Sequence, residues 1–455
     1  MKKLEVRFTR GVGDSLHVGT LAEDRGRVYF EYAPAFLNTG LNLSPFRLPF
    51  EAGLFEHNDR EFGPLPGVFD DSLPDGWGLL LMDRHFRSQG LNPRGISPLD
   101  RLSWLGTRTM GALTYHPPTD RENVDATTFD LHDLARQSQE LLTGAAVDVL
   151  PQLLRAGGSP GGARPKVLVG LNPDTDGVIS GEDDLPAGYE HWIVKFAADT
   201  DSPDAGAVEY AYSLMATAAG IDMPPTRLFT TSESDRFFGV KRFDRSSTNR
   251  RYHIHTFGNL IQSNFRIPSA DYADLLKATS LLTRNHQDVL RAFRRMAFNV
   301  LAHNRDDHVK NFAFLLNDAT NDWTLSPAYD LLHTPGLGPN APPLSHTMTI
   351  VGEGKHPARP HMLRLAEQSN ISTRDAIAII DEVHSAITRW STFATKAKVS
   401  PAITRQLAKS LTKLAQTAEY PKLSKRVEKS LKNLGNHKES SDCDNNVGET
   451  EFAEG

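Results

Sequence analysis

One short stretch constrains this chain more than any other. Residues 302–316, AHNRDDHVKNFAFLL, place two His, two Asp, two Asn, one Arg and one Lys directly before an apolar run. Residues 286–302 repeat apolar side chains at helical spacing, with Asn285 as a candidate N-cap. FAFLL and the later WTLSPAYDLL read as a hairpin with its turn at residues 317–321. The charged loop is therefore predicted to lie between a long helix and a strand.

The length and composition indicate a multidomain globular protein. The 455 residues exceed one ordinary core and predict two or three domains, and hydrophobic and charged fractions of 39% and 23% are typical of soluble proteins. No apolar run reaches the ~20 residues of a membrane span, and MKKLEVRFTR lacks the apolar core of a secretory signal. Cys443 is the only cysteine, so no intrachain disulfide is possible. We expect a cytoplasmic protein without a membrane partner.

Charge is concentrated near the C-terminus. Residues 396–435 hold ten Lys and Arg against two Glu, and read as helices with Arg405, Lys409 and Lys413 on one face. Residues 436–455 hold six acids and one Lys, and we expect a disordered tail. The basic face is either solvated or a surface for a partner or nucleic acid.

The order of sequence patterns predicts an α+β fold. Residues 1–120 combine short alternating segments with helices that Asp70, Asp71 or Asp75 can cap. Residues 121–255 are rich in strands and contain a glycine loop, and residues 256–395 are mainly helical. A basic helical extension, 396–435, and the acidic tail, 436–455, complete the predicted division.

Two motifs in the second segment suit phosphate binding. GGSPGGARPK, from Gly157 to Lys166, brings four glycines before a strand, so that backbone N–H groups can approach an anion. By itself it is equally typical of a flexible loop, because it matches neither the P-loop nor GxGxxG. Lys195 lies in the apolar strand HWIVKF, and Glu209 follows in the next helix. Kinase-like sites use such a Lys–Glu pair on the nucleotide phosphates, although a lysine at a strand end also snorkels to solvent.

The charged loop adds the remaining groups of a phosphotransfer site. Asp306 and Asn311 are five residues apart, the separation of the catalytic Asp and the Mg²⁺-binding Asn in protein kinases. Asp330 follows across the predicted hairpin, where a kinase has its second Mg²⁺-binding Asp. The sharpest rival is a hydrolytic metal cluster of His303, Asp306, Asp307 and His308, as in His-Asp phosphohydrolases. A solvated helix end is the third possibility, and Asp307 is predicted to be a solvated charge.

Several motifs together resemble a known family. GGSPGGARPK, HWIVKF, VKRFDR, HNRDDHVKN and SPAYDLL, in this order, resemble the HipA-type toxin serine/threonine kinases of type II toxin–antitoxin systems. YAPAFL, FDDSLPDGWG and LGTRTMGALTY resemble the N-terminal domain of that family. The resemblance spans roughly residues 5–390. It implies a protein-kinase-like bilobal fold with an N-terminal sheet-containing subdomain and a mainly helical C-terminal lobe.

The resemblance also implies roles for individual residues. Asp306 would be the catalytic base, Asn311 and Asp330 would bind Mg²⁺, and Glu209 would be the partner of the strand lysine. Ser159 in the glycine loop would be autophosphorylated. ATP would be bound by the phosphate loop, the strand lysine, the adenine-side hinge and groups near the phosphates: Gly161, Gly162, Ala163, Arg164, Pro165, Lys166, Lys195, Lys241, Arg242, Phe243, His308, Lys310 and Tyr329.

Family membership would further imply partners. The expected substrate is a translation protein such as an aminoacyl-tRNA synthetase, and its phosphorylation would arrest growth. A small helix-turn-helix antitoxin, encoded as a separate chain, would bring the protein to operator DNA, so that DNA contact is indirect or weak. The alternative of a different class is a catalytically silent pseudokinase that serves as a binding component of the DNA-bound repressor complex.

Overall fold

A computed structural model describes most of the chain. The described residues are 1–119, 130–144, 151–157, 161–181, 184–198, 201–334 and 345–418. Ser159, Lys413 as a side chain and the tail from residue 419 lie outside this description. Three antiparallel sheets and a mainly helical C-terminal part agree with the predicted α+β class. No helix of the described residues is long and apolar enough to cross a membrane.

The first sheet belongs to the N-terminal part of the chain. Its strand order is β4-β3-β2-β1-β5, and all neighbours are antiparallel. Alternate residues of β1, Leu4, Val6 and Phe8, are buried against the helices, as the alternating pattern predicts. The elements are β1 (Lys2–Gly11), β2 (Asp14–Asp24), β3 (Arg27–Tyr32), α1 (Pro34–Leu37), β4 (Leu54–His57), α2 (Gly67–Asp70), α3 (Gly76–Ser88), a 3₁₀ turn (Pro93–Gly95), α4 (Pro98–Leu105) and β5 (Leu113–His116).

The second sheet carries the predicted phosphate-binding motifs. Its order is β7-β6-β8-β10-β9, and in the antiparallel pair β6–β8 Lys166 lies directly opposite Lys195. One face of the sheet packs on α6, and α7 packs on β9 and β10. The elements are α5 (Leu131–Leu142), α6 (Pro151–Gly157), β6 (Lys166–Leu171), β7 (Val178–Ser180), β8 (Glu190–Lys195), α7 (Ala205–Ala218), β9 (Thr226–Thr230) and β10 (Arg236–Lys241).

The remaining chain forms a helical lobe with a small sheet. The sheet order is β11-β12-β13, and β12 and β13 are the predicted hairpin around residues 317–321. The elements are β11 (His253–Thr256), α8 (Phe257–Ile261), α9 (Tyr272–Thr283), α10 (His286–Leu301), a 3₁₀ turn (Val309–Asn311), β12 (Ala313–Asn317), β13 (Asp322–Leu325), α11 (Arg359–Gln368), α12 (Thr373–Thr388), α13 (Trp390–Lys396) and α14 (Pro401–Ala418).

The helix before the charged loop forms as predicted. α10 begins after Asn285, whose side chain accepts a hydrogen bond from the Gln287 N–H. Phe293 and Met296 on its apolar face are fully buried, so the helix packs into the core of the lobe. The helix ends at Leu301, and the charged loop follows directly.

The first part of the basic extension is an integral helix of the lobe. Leu407 and Leu411 of α14 are buried, and the Trp390 indole N–H donates to the Thr404 carbonyl at 3.1 Å. Arg405 and Lys409 are exposed, which agrees with both a solvated face and a surface for a partner. A single hydrophobic core joins β1 of the first sheet, the helices of the C-terminal lobe and α14. The N-terminal sheet and the last described helix thus stabilise the same core.

Candidate active site

The predicted site residues meet in one cleft. A cavity of about 850 Å³ lies between β6, β8, β10 and the loop that follows α10. Pro165 does not line it, and Ser159 lies outside the described residues. The predicted residues that line the cavity are Gly161, Gly162, Ala163, Arg164, Lys166, Lys195, Glu209, Lys241, Arg242, Phe243, Asp306, His308, Lys310, Asn311, Tyr329 and Asp330.

Lys195 is the central cation of the cleft. β8 delivers it to the cleft, and its ammonium group lies 2.6 Å from Oε1 of Glu209 on α7 and also contacts Asp330. Burial lowers the pKa of Lys195, but the two carboxylates outweigh burial and raise that pKa above its usual value. The lysine is therefore permanently charged, and it links the sheet, α7 and the segment after β13.

Asp330 occupies a constrained backbone position. Its φ is +53°, a left-handed conformation that non-glycine residues seldom adopt and Asp tolerates better than most. Burial disfavours its ionisation, but the ammonium groups of Lys195 and Lys166 outweigh this effect and hold the pKa of Asp330 below its usual range. An ionised carboxylate is thus held in the cleft beside Lys195.

The loop after α10 supplies the other two candidate groups. Asp306 is exposed and lines the cleft. The Asn311 side chain donates from Nδ2 to the Asp306 carbonyl at 2.7 Å, which closes the loop into a compact turn. This bond uses the amide nitrogen of Asn311 and leaves its Oδ1 available for a cation.

Asp307 is not the solvated charge that we predicted. It is fully buried, and its carboxylate accepts from the Tyr272 hydroxyl at 2.7 Å and the Thr347 N–H at 2.8 Å. Its Oδ2 also lies 2.8 Å from Nδ1 of His346. The prediction was wrong because these partners lie 35–40 residues from Asp307 along the chain. Asp307 anchors the base of the loop and leaves Asp306 to face the cleft.

His308 and Lys310 belong to the same loop, and Lys310 contacts the N-terminal part. The buried Nδ1 of His308 has no hydrogen-bond partner among the described residues. Lys310 Nζ contacts Asp70 at 3.2 Å and lies 3.9 Å from Asp75. Burial lowers the pKa of Lys310, but the nearby aspartates outweigh burial and raise it. The Tyr329 hydroxyl donates to the Lys310 carbonyl at 2.7 Å.

Lys166 is a buried cation at the end of the glycine loop. Its ammonium group donates to the Gly161 carbonyl, and no carboxylate of the described residues forms an ion pair with it. Burial lowers its pKa to about 8. The charge of Asp330 opposes this shift, but Asp330 pairs directly with Lys195, so a bound phosphate would give Lys166 an anionic partner of its own.

The hinge residues divide between the cleft and the core. Phe243 lies 5.8 Å from the ring of Tyr329, which forms an aromatic wall. Lys241 pairs with Glu190 at 2.7 Å. The guanidinium group of Arg242 pairs with buried Asp244, which also accepts from the Gly111 N–H. Arg242 therefore contributes backbone to the cleft while its side chain joins the hinge to the N-terminal part.

Sequence reasoning missed the aspartates of FDDSLPDGWG. They were predicted to cap helices, but Asp75, although it precedes α3, makes no side-chain cap bond and instead accepts from the Gly162 N–H. Asp71 accepts from the Thr256 N–H and hydroxyl, and contacts Nδ1 of His255 at 2.6 Å. The density of Asp in this motif was the available signal, but the partners lie in distant segments.

The donor chemistry fits a magnesium nucleotide better than a hydrolytic metal cluster. Asp330 and Asn311 offer hard oxygens, and Mg²⁺ needs only one or two protein ligands when phosphates and water complete its shell. In contrast, no group of three or more His, Cys, Asp or Glu in the described residues is arranged to hold a metal. His303 stacks on His333 at 5.9 Å, while Asp307 is engaged in the core. The hypothesis of a His-Asp phosphohydrolase is not supported, because the described residues form no such metal cluster.

A sheet with a lysine–glutamate pair, a glycine loop and a helical lobe that supplies Asp, Asn and Asp define a protein-kinase-like bilobal fold. The model of the HipA N-terminal domain matches residues 12–116, and that of the HipA-like C-terminal domain matches residues 158–390. The chain belongs to the HipA family.

Individual proteins agree with this assignment. A chain of the Shewanella oneidensis toxin–antitoxin complex of HipA, HipB and operator DNA superimposes with a TM-score of 0.68 at 16% identity, covering 91% of this chain and 96% of that one. Two Sinorhizobium fredii proteins, named "Putative kinase Y4dM" and "Putative kinase Y4mE", are 26% and 28% identical. The alignments cover 73% and 74% of this chain, and 78% and 80% of those proteins.

Proposed function

We propose that the protein is an ATP- and Mg²⁺-dependent protein serine/threonine kinase of the HipA toxin type. One observation supports it most: Lys195 with Glu209, Asp306, Asn311 and Asp330 line a single cleft together with the glycine loop. Each residue has the chemistry that phosphoryl transfer needs at its position. The kinase names of the Sinorhizobium fredii relatives agree with this proposal.

In the proposed reaction Lys195 and Lys166 bind nucleotide phosphates, while Phe243 and Tyr329 form the wall beside the adenine. Asp306 orients the acceptor hydroxyl and takes up its proton. Asn311 and Asp330 would hold Mg²⁺, which when bound neutralises charge on the phosphates. His308 and Lys310 face the transferred group. Most of the rate enhancement would come from positioning and electrostatics.

The test is transfer of labelled phosphate from ATP to the protein itself and to lysate proteins. Asp306→Asn and Asp330→Ala should each lower transfer at least roughly 10³-fold, because they remove the base and a metal ligand. Asp322→Asn, an exposed carboxylate change on β13, is the control and should transfer normally. Undiminished labelling of the Asp306 variant would contradict the assigned role.

The acceptor is proposed to be a translation protein such as an aminoacyl-tRNA synthetase, phosphorylated in the cytoplasm to arrest growth. Ser159 is the proposed site of autophosphorylation. Comparison of the phosphoproteome after brief expression of wild type and Asp306→Asn identifies both. If Ser159→Ala incorporates as much labelled phosphate into itself as the wild type does, Ser159 is not the autophosphorylation site.

The partner is proposed to be a small helix-turn-helix antitoxin, since the structural neighbour is in a complex with HipB and operator DNA. The exposed basic face of α14 would add weak DNA contacts. Replacement of Arg405 and Lys409 by Glu, with operator affinity of the complex measured at two salt concentrations, tests this contribution. If the variant and the wild type show equal affinity and equal salt dependence, this face does not contact DNA.

The alternative is a pseudokinase that only binds within the repressor complex. It predicts growth effects and operator binding that survive Asp306→Asn. The intact set of Lys195, Asp306, Asn311 and Asp330 favours the active enzyme.

A further inference from the structure

The start of α3 forms hydrogen bonds with both backbone groups of one glycine-loop residue, Gly162. The Gly162 N–H donates to Oδ1 of Asp75, and the Gly162 carbonyl accepts from the Trp77 N–H at 3.0 Å. The Trp77 indole N–H donates to the Lys166 carbonyl at 3.1 Å. The N-terminal part therefore holds the loop at its middle and at its entry into β6.

Gly76 makes this approach possible. Its φ is +46°, and an added Cβ would lie 2.6 Å from the Gly162 carbonyl oxygen and 2.7 Å from the Ala163 Cα. No side chain fits at such distances from backbone that is itself hydrogen-bonded. The loop and the helix start are thus in direct backbone contact.

The same segment reaches the second phosphate-side element. Lys310 in the loop after α10 contacts Asp70 at 3.2 Å, and Asp75 lies 3.9 Å from the same ammonium group. Asp75 is only 16% exposed, so its contacts are little screened by solvent. Residues 70–77 therefore connect the glycine loop to Lys310 across the cleft.

We propose that Asp75, Gly76 and Trp77 form a clamp that positions the glycine loop for nucleotide binding. The inference rests on the proposed function. Asp75 and the Trp77 backbone fix both peptide groups of Gly162, which holds the neighbouring N–H groups of the loop against the cleft. Asp75 is a positioning residue, since it acts through Gly162. The N-terminal part is in this way a component of the ATP site.

The test is the Kd for ATP with Mg²⁺ of the full-length chain, measured by calorimetry. Gly76→Ala pushes the loop away and should raise Kd at least roughly tenfold, the effect of losing a charge-assisted hydrogen bond. Gly90→Ala is the matched control, because Gly90 follows the other end of α3 with φ +74° and an added Cβ would meet nothing within 4 Å. It carries the same backbone strain and should leave Kd within about twofold.

Asp75 gives a second route that adds no atoms. Asp75→Ala should raise Kd roughly five- to tenfold, whereas Asp75→Asn should restore most of the affinity because an amide oxygen accepts the same N–H. If Gly76→Ala does not fold, as judged by circular dichroism, these two variants decide. Affinity measured on folded protein separates positioning from a loss of stability alone.

The outcomes separate two failures. If the wild-type chain binds ATP and both Gly76→Ala and Asp75→Ala bind it equally well, the clamp is wrong and the proposed function is unaffected. Tighter binding by either variant would overturn the clamp as well, because the contact would then be a barrier to the nucleotide. A wild-type chain that binds no ATP would overturn the proposed function and the clamp with it.

Discussion

Asp307, next to the proposed catalytic Asp306, is expected to contribute strongly to the stability of the fold. Replacement by Ala would leave the Tyr272 hydroxyl, the Thr347 N–H and His346 without their acceptor in the core. We expect the free energy of unfolding to fall by roughly 3 kcal/mol in urea denaturation, the cost of unsatisfied buried donors. Asp14→Ala, an exposed partner of Arg10, should change it by less than about 0.5 kcal/mol. Equal effects would contradict the anchoring role.

Lys166 predicts a pH dependence of nucleotide affinity. Burial lowers its pKa to about 8, and only the charged form attracts phosphate. Bound phosphate raises the pKa of Lys166 again. The affinity for ATP is therefore highest below pH 8 and falls as the pH rises above that value. Between pH 7 and pH 9 we expect a loss of roughly tenfold for ATP with Mg²⁺. Lys166→Met should bind weakly with a flat profile over the same range, and an equally steep profile in that variant would assign the titration elsewhere.

At the scale of elements, β8 and α7 act as a pair. Lys195 forms ion pairs with both Glu209 and Asp330. Glu209 would therefore keep the lysine in place if Asp330 binds Mg²⁺ as proposed. Glu209→Gln weakens this hold, and we expect kcat/KM for ATP to fall roughly tenfold with an unchanged fold. Glu382→Gln, which weakens the exposed ion pair with Arg294, is the control and should leave the kinetics unaltered.

Elements were easier to predict from the sequence than their contacts. The helix after Asn285, the hairpin and the strand that carries Lys195 follow from short-range periodicity and turn residues, and all are present. The spacing of Asp306, Asn311 and Asp330 also identified groups that share the cleft. The clamp, the contact between Lys310 and Asp70, and the Asp307 network join segments 35 to 240 residues apart. Nothing in the local pattern around Asp75 or Asp307 distinguishes a distant partner from solvent.

At the scale of the whole molecule, the core extends beyond the residues matched by the family models, which end at 390. α14 buries Leu407 and Leu411 and accepts the Trp390 indole N–H. Removal of residues 396–455 should therefore lower the free energy of unfolding by at least about 3 kcal/mol, while removal of 419–455 should change it by less than about 1 kcal/mol. Thermal and urea unfolding of the two truncations make the comparison. Equal stability would mean that α14 contributes nothing to the core.

The clamp also has a consequence for the order in which the protein is made. On the ribosome, Asp75 and Trp77 emerge before Gly162, and Lys310 follows Asp70 by 240 residues. Asp330 is the last of the predicted site residues to leave the exit tunnel. The nascent chain can thus form the surface that receives the glycine loop early, yet it has no complete cleft until most of the polypeptide is synthesised. The proposed kinase would therefore stay inactive until synthesis of its own chain is nearly complete.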